Sequence, residues 1–167
     1  RELFARYLDL FNSLELKPVL AVPESYAVHA LLAPKVKGDE ILLYLNMEEE
    51  TTDAVVLDKL GVFHTFTEPI ENIRLIEGLK KVTSFFKERW AKSPSRIIVG
   101  GEGASSVDKK ELSKNLDLEV LSAEDVFKKY PFHFGSGAAT INKLELLSVL
   151  GLALLSRQKN PLNFVKS

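Results

Sequence analysis

Beginning at Glu40, the sequence contains three β-rich runs in a row, ILLYLN, TTDAVVLD and GVFHTFTEPI. The segments between them, MEEE and Lys59–Gly61, are short enough for hairpin turns, so the runs predict three strands that pair antiparallel in chain order. The next segment, Ile73–Trp90, has apolar residues on one face and charged residues largely on the other, which predicts an amphipathic helix. A meander followed by such a helix indicates a sheet with helices packed against it.

Strands and helices alternate in the rest of the chain. The patterns predict, in order, the strand RIIV, a helix from Asp108 to Asn115, the short strand LEVL, a helix over Ser122–Tyr130, a loop over Pro131–Thr140 and a closing helix over Ile141–Arg157. Asp108 and Glu111 form a capping-box pattern. The order β-β-β-α-β-α-β-α indicates an α/β fold with a mixed sheet. It resembles the ribonuclease-H-like unit, in which parallel strands extend an antiparallel meander and helices cover both faces.

The first 36 residues have a different pattern. Apolar residues at helical spacing predict a helix with a core-facing stripe over Glu2–Leu14. The run Pro18–Val22 suits a buried strand, and Pro23 suits the first position of a helix that ends at Leu32. We therefore expect residues 1–36 to be the helix-strand-helix end of a truncated preceding unit, residues 37–158 to be the ribonuclease-H-like unit, and residues 159–167 to be an apolar tail.

Composition excludes several classes of function. The chain of 167 residues has no cysteine, so disulfides, thiolate zinc sites and cysteine nucleophiles are excluded. A net charge of -1 gives no electrostatic reason to expect nucleic acid as a partner. The longest apolar run, Leu144–Leu155, is shorter than the roughly 20 residues that cross a bilayer, so no membrane span is expected. Because the sequence opens RELFARYLDL, without a methionine, we expect a piece of a longer protein.

Three glycines follow the RIIV strand in the stretch RIIVGGEGA. Glycine has no Cβ, so Gly100, Gly101 and Gly103 would permit close approach of a purine or ribose; the same property permits a sharp turn between a strand and a helix. The chain has neither a complete G-x-G-x-x-G nor a phosphate-loop lysine, and the glycines alone therefore favour the turn. Both interpretations remain open at this point.

Two ribonuclease-H-like units in tandem are the architecture of the actin-like ATPases. Within that group the chain resembles the PilM and GspL proteins of type IV pilus and type II secretion assembly. LELKPVLAVPESYAVHALL resembles the segment that joins the two lobes, VLGLALLSRQKNPLNFV resembles the closing helix and tail, and RIIVGGEGA has the position of the loop beside adenosine. For a retained nucleotide site, the resemblance implies contacts from Gly100, Gly101, Gly103, Asn46, Thr51 and Thr52.

The first hairpin departs from that family. Actin-like ATPases carry a D-x-G-x-x-x-T pattern there, whereas YLNMEEETT places Asn46 at the Asp position and Glu48 at the Gly position. An amide coordinates hydrated Mg²⁺ less well than a carboxylate does, and the carboxylates of Glu48–Glu50 would repel phosphate. These departures imply a degenerate nucleotide site and no hydrolysis by this segment alone. ATP and Mg²⁺ remain open as cofactors of a full-length parent only.

No catalytic or metal-binding residue is predicted. His29, His64 and His133 share no ligand spacing. Ser105, in GEGAS, lacks the G-x-S-x-G pattern of a nucleophile elbow. Thr51 and Thr52 suit a strand that begins after a turn better than a phosphate contact.

The chain closes with an apolar tail. Asn160 and Pro161 end the preceding helix, and an extended apolar stretch follows. Such a stretch either adds to a partner's sheet edge or groove, or folds back on its own domain, and both alternatives remain open. The tail resembles the short motif that PilN-type proteins insert into a PilM groove. The resemblance therefore makes these residues the partner-binding candidates: Asn160, Pro161, Leu162, Asn163 and Phe164.

The resemblance implies a scaffold with an actin-like fold. In that interpretation the chain binds a PilN-like inner-membrane protein, or its N-terminal peptide, which holds it at the cytoplasmic face of the inner membrane; homo-oligomers remain open. The alternative is an active actin-like ATPase or small-molecule kinase lobe that needs a missing N-terminal lobe. A ribonuclease-H-type nuclease is disfavoured, because Asn46 and the carboxylate-free RIIV strand stand where metal-binding carboxylates would be needed.

Overall fold

The computed structural model describes residues 2–69, 72–128, 147–159 and 163. Its helices are α1 Glu2–Ser13, α2 Glu24–Leu32, α3 Asn72–Trp90, α4 Lys109–Leu116, α5 Ala123–Phe127 and α6 Leu147–Leu155. Its strands are β1 Leu42–Met47, β2 Thr51–Leu57, β3 Val62–Pro69, β4 Arg96–Gly100 and β5 Glu119–Ser122. Two short 3-10 turns lie at Ala33–Lys35 and Glu102–Ser106.

The five strands form one mixed sheet in the order β3-β2-β1-β4-β5. The strands β1, β2 and β3 form an antiparallel meander, and β4 and β5 extend it in parallel on the other side of β1. In the register of the β1–β4 pair, Leu42 lies opposite Arg96 and Asn46 opposite Gly100. The predicted α/β class, the predicted meander and its parallel extension are confirmed.

Helices cover both faces of the sheet, which explains why β1 is apolar on both sides. Leu43, Leu45 and Met47 face a core that contains residues of α3 and α4, whereas Leu42 and Tyr44 face a core that contains residues of α2 and α6. A strand buried on both faces reads as a continuous hydrophobic run, as ILLYLN does. The central strand therefore joins the two cores.

Two expectations for the N-terminal segment are wrong. The helix α1 forms, but Tyr7, Leu10 and Leu14 are exposed, so its apolar stripe does not face a core of the described residues. The run Pro18–Val22 is neither helix nor strand, and the side chain of Val19 is 73% exposed. Apolar spacing predicts a surface that favours burial, but it does not supply the neighbouring strand that a ladder needs.

Local sequence patterns predicted the ends of the other helices and strands to within a few residues. Asp108 caps α4, because its carboxylate accepts hydrogen bonds from the backbone N–H groups of Lys110 and Glu111 at 2.9 and 3.0 Å. Pro23 precedes α2 as its N-cap rather than as its first residue. Of the closing helix, Leu147–Leu155 is observed; its predicted start and the predicted loop 131–140 lie outside the described residues.

An ion pair ties the start of β1 to the start of β4. The Arg96 guanidinium donates from Nε to Glu40 Oε1 at 2.5 Å and from Nη2 to Glu40 Oε2 at 2.7 Å. Both side chains are largely buried. Burial opposes ionisation of Glu40, but hydrogen bonds from Arg96, the Lys37 N–H and Ser95 overcome it and lower its pKa to about 2.

The variant Glu40→Gln should lower the free energy of unfolding by about 1–3 kcal/mol at neutral pH, because it leaves Arg96 without its charged partner. Since folding lowers the pKa of Glu40, the pair's contribution is complete above the ordinary value of 4.5 and is lost as the pH falls through about 2. Urea denaturation across this range should show the two proteins converging at acid pH. Glu2→Gln, in the exposed pair with Arg6, is the control and should change stability little. An E40Q deficit that stays constant with pH would contradict this account.

Gly151 sets the distance between α6 and α2. A Cβ added at Gly151 would lie 2.0 Å from the carbonyl oxygen of Ala27, an impossible contact with the backbone of α2. The two helices therefore meet backbone to backbone at this point, over the face of the sheet that carries Tyr44.

We expect Gly151→Ala to destabilise the protein by about 1–3 kcal/mol, because the added methyl group must push the two helices apart. Chemical denaturation measures the change. Gly61→Ala is the matched control, since a Cβ at Gly61 meets nothing within 4 Å. Equal stability of the two variants would show that α6 does not pack on α2 as described.

Candidate functional site

The candidate site lies where β1 and β4 end side by side. Asn46 is near the end of β1, and Gly100 is opposite it at the end of β4. The hairpin tip Glu48–Glu50 continues from β1, and the glycine-containing turn continues from β4. The carboxyl ends of adjacent parallel strands are the usual place for a ligand in an α/β sheet.

The chain's own atoms approach all three glycines of the turn. A Cβ at Gly101, whose φ is 88°, would lie 2.3 Å from the Met47 carbonyl oxygen and 2.7 Å from Asn46 Oδ1. At Gly103 it would lie 3.1 Å from the carbonyl oxygen of Glu48, and at Gly100 it would lie 2.8 Å from the Tyr44 hydroxyl oxygen. Packing of the turn against the first hairpin is thus sufficient to require glycine at position 101, and it leaves little room for a side chain at positions 100 and 103.

Asn46 is held by neighbours on both sides of its amide. The Tyr44 hydroxyl donates to Asn46 Oδ1 at 3.4 Å, and Asn46 Nδ2 donates to Glu48 Oε1 at 3.3 Å. Burial, helped by the negative charge of Glu24, raises the pKa of Tyr44, so its hydroxyl stays a donor. The amide therefore bridges the buried hydroxyl and a carboxylate at the hairpin.

A pocket of about 380 Å³ opens beside this amide. Four of its lining residues are acidic, and two come from α6. The lining consists of Glu24, Asn46, Glu48, Glu49, Gly101, Glu102, Leu147 and Ser148. The Ser148 hydroxyl donates to Glu24 Oε1 at 2.5 Å, which joins α6 to the start of α2. Carboxylates repel phosphate, and among the described residues the lining offers no lysine or arginine to offset them, so the described part of the pocket disfavours a nucleoside triphosphate.

The predicted nucleotide-contacting residues are only partly brought together. Asn46 and Gly101 line the pocket, and Gly100 and Gly103 lie in the same turn. Thr52 is fully buried, and its hydroxyl lies 3.2 Å from Met47 Sδ on the α3 side of the sheet. Thr51 lies at the start of β2, opposite Pro69.

Of the predicted partner-binding residues, only Asn163 lies among those described. Its Nδ2 donates to the Val19 carbonyl oxygen at 2.8 Å, and its Oδ1 accepts from the Ala21 N–H at 3.2 Å. The Asn163 amide therefore makes the hydrogen bonds to the backbone of Pro18–Val22 that a neighbouring strand would make. The other predicted residues lie outside the described ones: Asn160, Pro161, Leu162 and Phe164.

Sequence reasoning missed the pocket residues Glu24, Glu102 and Ser148. Glu102 lies within the glycine stretch, so the local sequence could have indicated it. Glu24 and Ser148 are separated by 124 positions, and only the packing of α6 on α2 brings them together. No local pattern contains that information.

The described part of the chain contains neither a candidate metal cluster nor a helix that could span a membrane. Within it, no three His, Asp or Glu side chains are placed to hold a metal ion. Within the same ranges, every helix is too short or too polar to cross a bilayer.

Comparison with known proteins identifies the fold. No protein-family model matches the chain, and no curated protein matches it. A chain of the PilM-PilN type IV pilus biogenesis complex is similar with a TM-score of 0.71 and 18% identity, over 90% of this chain. The ethanolamine utilization protein EutJ from Carboxydothermus hydrogenoformans gives a TM-score of 0.49 at 18% identity, over 86% of this chain and 57% of its own. The present chain spans 56% of the pilus protein's length. It has the mixed α/β fold that the element order predicted, in the actin-like ATPase form that the resemblance implied.

If the turn needs glycine for its own packing, Gly101→Ala should destabilise the protein by about 1–3 kcal/mol with no nucleotide present, because the methyl group would meet the Met47 carbonyl. Thermal or urea unfolding measures the change. Glu102→Ala, at the next position and exposed, is the control and should alter stability little. If G101A were as stable as the wild type, the glycine would have to be explained by a ligand instead.

Proposed function

We propose that this chain is the second-lobe part of a PilM-like scaffold in a type IV pilus or type II secretion assembly. In this proposal residues 1–36 end the first lobe, residues 37–158 form the second lobe, and residues 159–167 form a partner-binding tail. The observation that carries the proposal is the fold likeness to a chain of the PilM-PilN complex, with a TM-score of 0.71 over 90% of this chain. A PilN-like inner-membrane protein then holds the chain at the cytoplasmic face of the inner membrane.

The chemistry of the site supports binding of a protein partner rather than nucleotide turnover. The glycine turn packs on its own hairpin, and carboxylates line the adjoining pocket. The proposal assigns no catalytic residue to this chain. It treats the nucleotide site as degenerate, with Asn46 in place of the carboxylate that would order hydrated Mg²⁺.

The tail supports a peptide-binding role for the N-terminal segment. Asn163 exchanges two hydrogen bonds with the backbone at Val19 and Ala21, and these partners are two residues apart, as in a strand ladder. These bonds occupy one edge of the Pro18–Val22 run and hold it extended, which leaves its other edge as the one that an added extended segment would use. We propose that a PilN-like peptide uses this surface together with the tail residues Asn160–Phe164.

Calorimetric titration of a PilN-like N-terminal peptide into the full-length protein tests the proposal. We expect saturable binding that Asn163→Ala weakens by up to about 30-fold, because the two hydrogen bonds of about 1 kcal/mol each that hold Pro18–Val22 extended are lost. Asn115→Ala is the matched control; that amide bonds only within α4, to the Glu111 carbonyl, and peptide affinity should be unchanged. Failure of the full-length protein to bind the peptide would refute the proposal.

A further inference from the structure

The end of the sheet opposite the candidate site carries an exposed aromatic surface. We define the aromatic edge as Leu60, Phe63, Phe85 and Trp90, which are 91%, 40%, 43% and 39% exposed. Trp90 lies 6.1 Å from Phe63 and 5.6 Å from Phe85 between ring centroids. Beneath them the fully buried Phe86 contacts all three rings. The edge is therefore a rigid outward extension of the core.

A β-bulge makes this surface. Val56 pairs with His64 and Leu57 with Val62, so Phe63 is an extra residue on the edge strand β3. The rings of both Phe63 and His64 then contact Phe86 on the α3 side. A bulge interrupts the row of backbone groups that an added strand would need. At this end of β3 the ladder is therefore interrupted, and the surface presents apolar rings.

Leu60 projects from the tight turn before β3. The Asp58 carboxylate accepts hydrogen bonds from the N–H groups of Leu60 and Gly61 at 2.7 and 2.9 Å, which holds the turn closed. His29 Nε2 lies 3.1 Å from the Asp58 carbonyl oxygen and fixes the turn to α2. The result is an apolar side chain that is 91% exposed on a turn fixed by hydrogen bonds.

One cation lies on the aromatic edge and others are close to it in sequence, although the whole chain has a net charge of -1. The Arg89 guanidinium carbon lies 5.9 Å from the centre of the Phe85 ring and 5.4 Å from that of Trp90. Lys59 adjoins Leu60 in the turn. Positions 58–61 and 87–92 contain four cations, Lys59, Lys87, Arg89 and Lys92, and two carboxylates, Asp58 and Glu88. The Asp58 carboxylate is already engaged by the N–H groups of the turn.

We propose that the aromatic edge docks directly on an anionic lipid bilayer. Leu60, Phe63 and Trp90 would enter the region between headgroups and acyl chains, where aromatic rings are favoured, while Lys59 and Arg89 contact lipid phosphates. Exposed apolar side chains with Arg89 against two of the rings, and an excess of cations in the adjoining segments, are complementary to such a membrane. This inference stands on the patch alone and does not depend on the proposed pilus role or on any PilN-like partner.

Vesicle co-sedimentation of the full-length protein, with no partner present, tests the proposal. Binding is expected to phosphatidylcholine vesicles that contain phosphatidylglycerol, and it should weaken with salt and in pure phosphatidylcholine. Leu60→Glu should reduce the partition coefficient about tenfold or more, because it removes the inserted side chain and adds repulsion. Leu60→Ser separates the two effects, since it removes only the apolar part. Both changes are at an exposed turn side chain, and circular dichroism checks that each variant is folded.

Leu14→Glu is the matched control, because it makes the same change at another exposed leucine, in the N-terminal segment. It should bind vesicles like the wild type. The proposal is overturned if the wild type binds neither vesicle type, or if L60E and L14E lose binding equally. It is also overturned if sedimentation analysis shows that L60E instead separates a dimer, because the edge would then be a contact between protein chains.

Discussion

The parallel pairing of β1 with β4 is the constraint on which the rest of this structure depends. It places the two apolar central strands side by side, which creates a sheet with two buried faces and calls for helices on both. At one end of the pair, the Glu40–Arg96 ion pair fixes the register. At the other end, the same register brings the first hairpin against the glycine turn, so that Gly101 packs on Met47 and Asn46. The candidate site is therefore a direct product of this pairing.

Much of the fold follows from local sequence patterns, because its signals are local. Hairpin turns are short, the period of α3 is regular, and Asp108 caps α4 with its own neighbours. The two wrong predictions, the buried stripe of α1 and the strand at Pro18–Val22, have a common cause. Apolar patterning says that a surface favours burial, but it contains nothing about which element covers it. Val19 remains exposed, and a single amide, Asn163, takes the place of a neighbouring strand.

The candidate site was also predictable only in part, namely for the residues that local patterns place at strand ends. Asn46 and the glycines lie at strand ends, and a parallel sheet brings such ends together. Glu24 and Ser148 reach the pocket only through the close crossing of α2 and α6 at Gly151, a long-range contact without a local signature. These residues also change the chemistry of the site. A turn that suits an adenosine by its glycines is surrounded by carboxylates, and this contrast is the physical basis for proposing a scaffold.

The most direct test of that central claim is thermal unfolding of the full-length protein at increasing concentrations of Mg-ATP. A ligand that binds only the folded state raises the unfolding midpoint in proportion to RT ln(1 + [L]/Kd). The account predicts a midpoint that does not change with nucleotide, because the turn is occupied by its own hairpin and the pocket is acidic. A midpoint that rises with the logarithm of the Mg-ATP concentration from micromolar nucleotide upward would contradict it and would identify the glycine turn as part of a working nucleotide site.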